Sequence, residues 1–330
     1  MLVPPDDPRL AWPGAVSLEV TRSWVAPWRI RHEERDLFPP PDGLPLRASM
    51  PAGVRIAFRS DTTSVAGEIE PQPEMTPLDI CCDGNLMGTV PMDGRPRFAF
   101  DGLPARDKVI ELWLPTHQPF RLRRLEIDDG ATLSPHTDQS PRWIAYGSSI
   151  TQCRDAASPT QTWPAIVARE RGLNLTCLGY GGQCHLDPLI ACMIRDMPAD
   201  FITICAGINI YGQASLGPRM FRPALIGMVR IIRERHPSVP IALISPIFSP
   251  PREAVPNAVG FTLRAMREEV ADAVERLRGA GDRNLHYIDG LDLFGPDLAH
   301  LLPDELHPNA EGYRKLARNF LERVAPRFFR

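Results

Sequence analysis

The chain changes rhythm once, near residue 142, and that change restricts its fold more than any other feature. Before it lie short β-favouring runs: "AVSLEV" (15–20), "GVRIAFRS" (53–60), "PLDICC" (77–82), "RFAF" (97–100) and "VIELWLP" (109–115). Pro, Gly and Asp clusters separate them, and no long stretch has a helical period, which predicts a β-sandwich. From Trp143 the apolar runs "WIAYG", "LTCLGY", "FITICAG", "IALISPI" and "LHYIDG" alternate with helical segments. That alternation predicts a parallel sheet wrapped by helices. The turn-rich stretch "DDGATLSPHTDQSP" (128–141) marks the boundary, so the expected domains are 1–140 and 141–330.

Two helices are legible from their apolar stripes. Tyr313, Leu316, Ala317, Phe320, Leu321 and Val324 repeat at three and four, with Asn309 placed to cap the first turn. Leu225, Met228, Val229 and Ile232 form a second stripe, with Arg230, Arg233 and Arg235 expected on its solvated face. The 36 prolines are dispersed, and "LFPPPDG" and "FSPPRE" are expected as rigid surface loops.

A formal charge of -3 offers no electrostatic reason for nucleic acid or an anionic membrane as partner, so a small molecule is expected instead. Seven cysteines, an odd number without zinc spacing, point to reduced thiols rather than a disulfide framework or a metal site. The N-terminal "MLVPPDDPRL" has no basic region followed by an apolar core, and no run is long enough for a membrane span. A cytoplasmic protein without metal or organic cofactor is expected.

Ligands of open parallel sheets bind beyond the carboxyl ends of the strands, and the residues there are polar in an organised way. Ser148 and Ser149 follow the first strand, "GYGGQCH" the second and "AGINIYG" the third, while "DELHPNAEGY" supplies Asp304 and His307. A serine hydroxyl needs a base to take its proton, and an imidazole held by a carboxylate serves. Pro308 disfavours helix at His307, so Asp304-x-x-His307 should be a turn in which the carboxylate reaches the near ring nitrogen. The oxyanion formed by attack on a carbonyl needs fixed donors; a serine N–H, a glycine N–H of "GYGGQ" and the Asn209 amide can supply them. Tyr180, Tyr211 and Phe248 follow predicted strands and are candidates to line an acyl or sugar pocket, and His185 lies near enough to the glycine loop to touch substrate. Cys153 and Cys184 have no base at a known spacing and are read as structural.

"GSSIT", "GYGGQ", "GIN" and "DELHP" together resemble, in order and over residues 143–330, the four blocks of the SGNH (GDSL-like) hydrolases. The preceding β-rich segment resembles the N-terminal sandwich of an esterase subgroup with the GSSIT form of the first block. The resemblance implies a flavodoxin-like three-layer α/β/α catalytic domain behind a jelly-roll-like sandwich. It makes Ser149 the nucleophile, His307 the base and Asp304 its orienting carboxylate, with Gly182 and Asn209 as oxyanion donors beside the Ser149 N–H. Ser148 stands where the family usually has aspartate, and Ile150 where it has leucine. The implied function is a serine esterase acting through an acyl-enzyme on small O-acyl esters, with acetyl on a sugar or related polar metabolite favoured. A lipolytic enzyme or lysophospholipase of the same fold would need a long apolar groove, and no amphipathic stretch suggests one. A non-catalytic carbohydrate-binding protein would have no use for this combination of residues.

Overall fold

Strands that hide one face and wet the other alternate in burial, as Val65–Ile69 and Arg97–Phe100 of the N-terminal segment do, whereas Leu78–Cys82 is buried along its whole length. In the computed structural model, which describes residues 1–38, 40 and 42–329, the strands of this segment are β1 (Leu2–Val3), β2 (Ser17–Val20), β3 (Val25–Trp28), β4 (Arg55–Ser60), β5 (Val65–Ile69), β6 (Leu78–Cys82), β7 (Asn85–Val90), β8 (Arg97–Phe100), β9 (Lys108–Trp113), β10 (Leu122–Ile127) and β11 (Ser134–Pro135). They form two antiparallel sheets, ordered β2-β3-β10-β5-β8, with β1 also on β10, and β11-β4-β9-β6-β7. Val65, Phe98, Phe100 and Leu125 of the first sheet meet Ile56, Phe58, Ile80 and Leu112 of the second in one buried cluster. This is a β-sandwich, and a short helix, α1 (Leu44–Ala48), interrupts it.

The remaining strands are β12 (Arg142–Gly147), β13 (Asn174–Gly179), β14 (Phe201–Cys205), β15 (Ile241–Ile244) and β16 (Leu285–Ile288), in the order β13-β12-β14-β15-β16. The pairing is parallel from β12 to β16, with Trp143 opposite Phe201 and Ile244 opposite Ile288. This strand order is the flavodoxin-like one, with its direction reversing between β12 and β14, where such sheets bind ligands. The helices between and after the strands are α2 (Ser149–Gln152), α3 (Trp163–Arg171), α4 (Pro188–Asp196), α5 (Ile208–Gln213), α6 (Pro218–Arg233), α7 (Leu263–Gly279), α8 (Gly290–Leu293), α9 (Ala310–Arg323) and α10 (Ala325–Phe328). α9 begins at Asn309, whose side chain accepts the Gly312 N–H at 2.9 Å, and Phe320 on its buried stripe stacks on Trp143 of β12. α6 buries Leu225, Met228, Val229 and Ile232. No helix among the described residues is long and apolar enough to cross a membrane.

By contact the chain divides into two units. One joins Met1–Ser140 with Ala157–Ala165 and Asn174–Cys177; the other holds Pro141–Ala156, Ile166–Leu173 and the chain from Leu178 onward. One surface expectation is corrected. The Arg233 side chain is largely buried, because its guanidinium pairs with Asp282 at 2.8 Å and donates to the carbonyls of His236 and Val239 beyond the end of α6. In "FSPPRE" Pro250 and Pro251 are exposed as expected, while Ser249 beside them is buried at 1% exposure. Pro39 and Pro41 of "LFPPPDG" lie outside the described residues.

Candidate active site

The first polar turn after β12 is shaped by close packing. A Cβ on Gly147 would stand 2.2 Å from Thr151 Oγ1, and one on Gly179 would stand 2.3 Å from the Gln152 nitrogen. Glycine at both strand ends lets the single turn of α2 rest directly on the sheet. Ser148 caps that turn, its Oγ accepting the Ile150 N–H at 3.2 Å, so the residue that replaces the usual aspartate orders the backbone around Ser149. Ser149 opens α2 and is half-buried.

Ser149 Oγ lies 2.9 Å from His307 Nε2, and His307 Nδ1 lies 2.6 Å from Asp304 Oδ2. The carboxylate accepts hydrogen bonds, so Nδ1 carries the proton and the Nε2 lone pair faces the serine hydroxyl. Asp304 Oδ1 also accepts the backbone N–H groups of Leu306 (3.0 Å) and His307 (2.6 Å), which closes the turn. Burial pushes the Asp304 carboxyl up, but the hydrogen bonds and the His307 ring outweigh it and hold the group below its ordinary value. The carboxylate therefore stays charged where an imidazole titrates.

The glycine loop is tied to the same turn. Gly181 donates its N–H to Gln152 Oε1 at 2.8 Å, so that donor is committed. Gly182, at φ +73°, occupies the left-handed region that glycine tolerates, and no described residue accepts its N–H. Its carbonyl accepts from Gln213 Nε2 at 2.6 Å and from His185 Nε2 at 3.0 Å. Asn209, on α5, accepts the Cys184 N–H through Oδ1 at 3.0 Å. A backbone N–H can only donate, so the amide orientation is settled and the Asn209 NH2 remains to donate elsewhere.

The peripheral residues fall differently. Tyr180 is fully buried and packs edge-on against Tyr146, as a core residue beneath the loop. His185 uses both ring nitrogens within the protein, bonding Gly182 and, at 2.7 Å, Ser215 Oγ. The Tyr211 hydroxyl donates to the Val255 carbonyl at 2.9 Å, tying α5 to a neighbouring loop. Phe248 lines a separate cavity of about 430 Å³ with Arg264, Arg267 and Tyr287. Burial pushes the Cys184 thiol up, and pushes that of Cys205 up to about 12, so both are poor nucleophiles. Gln152 and Gln213 were missed from sequence. Gln152 had a signal, since it stands three residues after Ser149 in "GSSITQ" and shares its helical turn.

A parallel sheet with a Ser-His-Asp relay at its switch point defines an acyl-transfer hydrolase, and the family comparison agrees. Residues 145–315 match the model of the GDSL-like lipase/acylhydrolase family, to which the chain belongs; it is an SGNH-family hydrolase. Residues 10–123 match the model of the SsfX3 N-terminal domain. The solved structure of the salicylyl-acyltransferase SsfX3 from a tetracycline biosynthetic pathway is 40% identical, with a TM-score of 0.91 over 99% of this chain and 97% of that one. A GDSL-like lipase structure from Bacteroides ovatus shares the fold at 20% identity (TM-score 0.80; 99% and 97% covered), as does a family two carbohydrate esterase from Cellvibrio japonicus at 12% (TM-score 0.65; 99% and 97%). No curated protein matches the chain significantly by sequence.

Proposed function

We propose that Ser149 is the nucleophile of an esterase that cleaves small O-acyl esters, with acetyl on a sugar or related polar metabolite as the favoured substrate. The observation that carries this reading is the continuous relay from Ser149 Oγ through His307 to Asp304. Ser149 Oγ attacks the ester carbonyl carbon while His307 Nε2 takes its proton, and Asp304 stabilises the imidazolium. The oxyanion is received by the N–H groups of Ser149 and Gly182 and the Asn209 amide. As the intermediate collapses the carbon–oxygen bond to the alcohol breaks, and His307 returns the proton to the departing oxygen. Water, deprotonated by His307, then attacks the acyl-Ser149 carbonyl; the acyl bond to Ser149 Oγ breaks, His307 returns the proton to that oxygen, and the acid leaves.

A cytoplasmic setting, in which the seven cysteines would stay reduced, is part of this reading. The 40% identity to an acyltransferase favours a second reading, in which an alcohol replaces water in the second step. p-Nitrophenyl esters of increasing acyl length, with and without a sugar acceptor, separate the two. The proposal expects the acetyl ester to react fastest and free acid to be the product. New ester formed at the expense of acid would establish transfer, and a preference for long or aromatic acyl groups would overturn the short-acyl assignment.

A further inference from the structure

Glu305 sits inside the Asp304–His307 turn at φ +59°, a left-handed conformation that a residue other than glycine adopts only when its surroundings enforce it. The enforcement comes from the loop after β15. The Glu305 carbonyl accepts from Ser249 Oγ at 2.7 Å and from Arg252 Nη1 at 3.2 Å. Arg252 Nη1 also donates to Ser249 Oγ at 2.9 Å, orienting the hydroxyl proton towards Glu305. Ser249 is fixed in turn, since its N–H donates to Glu253 Oε1 at 3.1 Å. Glu253 pairs with Arg267, which is 7% exposed and whose Nε donates to the Pro246 carbonyl at 2.9 Å. A buried, hydrogen-bonded ion pair of this kind holds its loop in one arrangement.

The carbonyl of Glu305 and the N–H of Leu306 belong to one planar peptide unit. One side of that plane is held by Ser249 and Arg252, and the other donates to Asp304 Oδ1 at 3.0 Å. We propose that Ser249, supported by Arg252, is a positioning residue of the acyl-transfer centre: it locks the Glu305–Leu306 peptide in the orientation that aims Asp304 and His307 at Ser149. This rests on the Ser149–His307–Asp304 reading above. The hydroxyl touches no reacting atom; its influence runs through the peptide plane to the carboxylate.

The test compares Ser249→Ala, Ser249→Thr and Arg252→Gln with wild type and with Ser149→Ala, measuring kcat and KM on p-nitrophenyl acetate, the rate of fluorophosphonate labelling, and Tm. Ser249→Ala is expected to lower kcat and the labelling rate together by about tenfold, with KM within about twofold, because small losses of alignment at a reacting centre act on rate. Ser249→Thr, which keeps the hydroxyl, should restore most of the rate. Arg252→Gln, at a partly exposed position, gives a smaller loss of the same kind and keeps the test open should Ser249→Ala fold poorly. Unchanged kcat in both variants, or a kcat loss no larger than the loss of folded protein, overturns the positioning role. Failure of the underlying reading has a different signature: Ser149→Ala would stay active, or the label would map to another residue.

Discussion

Asn209 has two tasks for one amide. Its oxygen holds the Cys184 N–H, and its NH2 is the donor proposed for the oxyanion. A donor that meets full negative charge only after attack begins acts on kcat more than on KM. Asn209→Ala should lower kcat by about 10²–10³ with KM changed much less. Asn209→Asp keeps an oxygen for Cys184 but loses the donors, so it should be as slow as the alanine variant while melting close to wild type. A stable variant with intact kcat would remove Asn209 from the site. At Asp304 the prediction concerns pH. Its folded pKa is depressed, so its contribution to stability is present above the ordinary carboxylate value and is lost as pH falls through the lower folded one. The stability difference between wild type and Asp304→Asn should therefore narrow below about pH 4. At neutral pH the same variant should lose about 10⁴-fold in kcat, because an amide no longer enforces the Nδ1–H form of His307. An unchanged rate would exclude Asp304 from the relay.

At the scale of elements, α2 depends on glycine in β13. Gly179→Ala places a Cβ against the backbone of Thr151 and Gln152 at 2.6 and 2.3 Å, so α2 must move. We expect a loss of about 1–3 kcal/mol in stability and a fall in kcat, read by a melting curve and steady-state kinetics. The strands that frame this packing were legible because they read as near-continuous apolar runs, which is what a parallel sheet demands. In the sandwich β10 was not, because a register shift between Leu122 and Arg124 breaks the alternation in "LRRLEI", leaving Arg123 exposed while the half-buried Arg124 and Glu126 pair with Glu68 and Arg97. β3 is not legible either, because Pro27 interrupts it. The site divides the same way. Serine, histidine, aspartate and asparagine declared themselves by chemistry, whereas Ser249 acts on a carbonyl 56 residues away and Glu305 is not a residue whose identity announces a left-handed turn.

For the whole molecule, we propose the boundary near residue 140 as one of sequence rather than of packing, since the unit that holds the sandwich also takes in Ala157–Ala165. Within that unit Asp79, fully buried, accepts from Thr89 Oγ1 at 2.6 Å, from Ser158 Oγ at 2.6 Å, and from the N–H and hydroxyl of Thr160 at 2.9 and 2.7 Å. Asp79→Ala strands the three buried donors of Ser158 and Thr160 and should cost about 3 kcal/mol, lowering Tm by several degrees. A Tm within a degree of wild type would show that these bonds contribute little. The mechanism as a whole rests on Ser149 being the hydroxyl that His307 activates. Its most direct measurement is peptide mapping of the fluorophosphonate adduct in wild type, Ser148→Ala and His307→Ala. One adduct on Ser149, retained without Ser148 and lost or slowed by orders of magnitude without His307, is the predicted result; an adduct on Ser148, or labelling indifferent to His307, would contradict it.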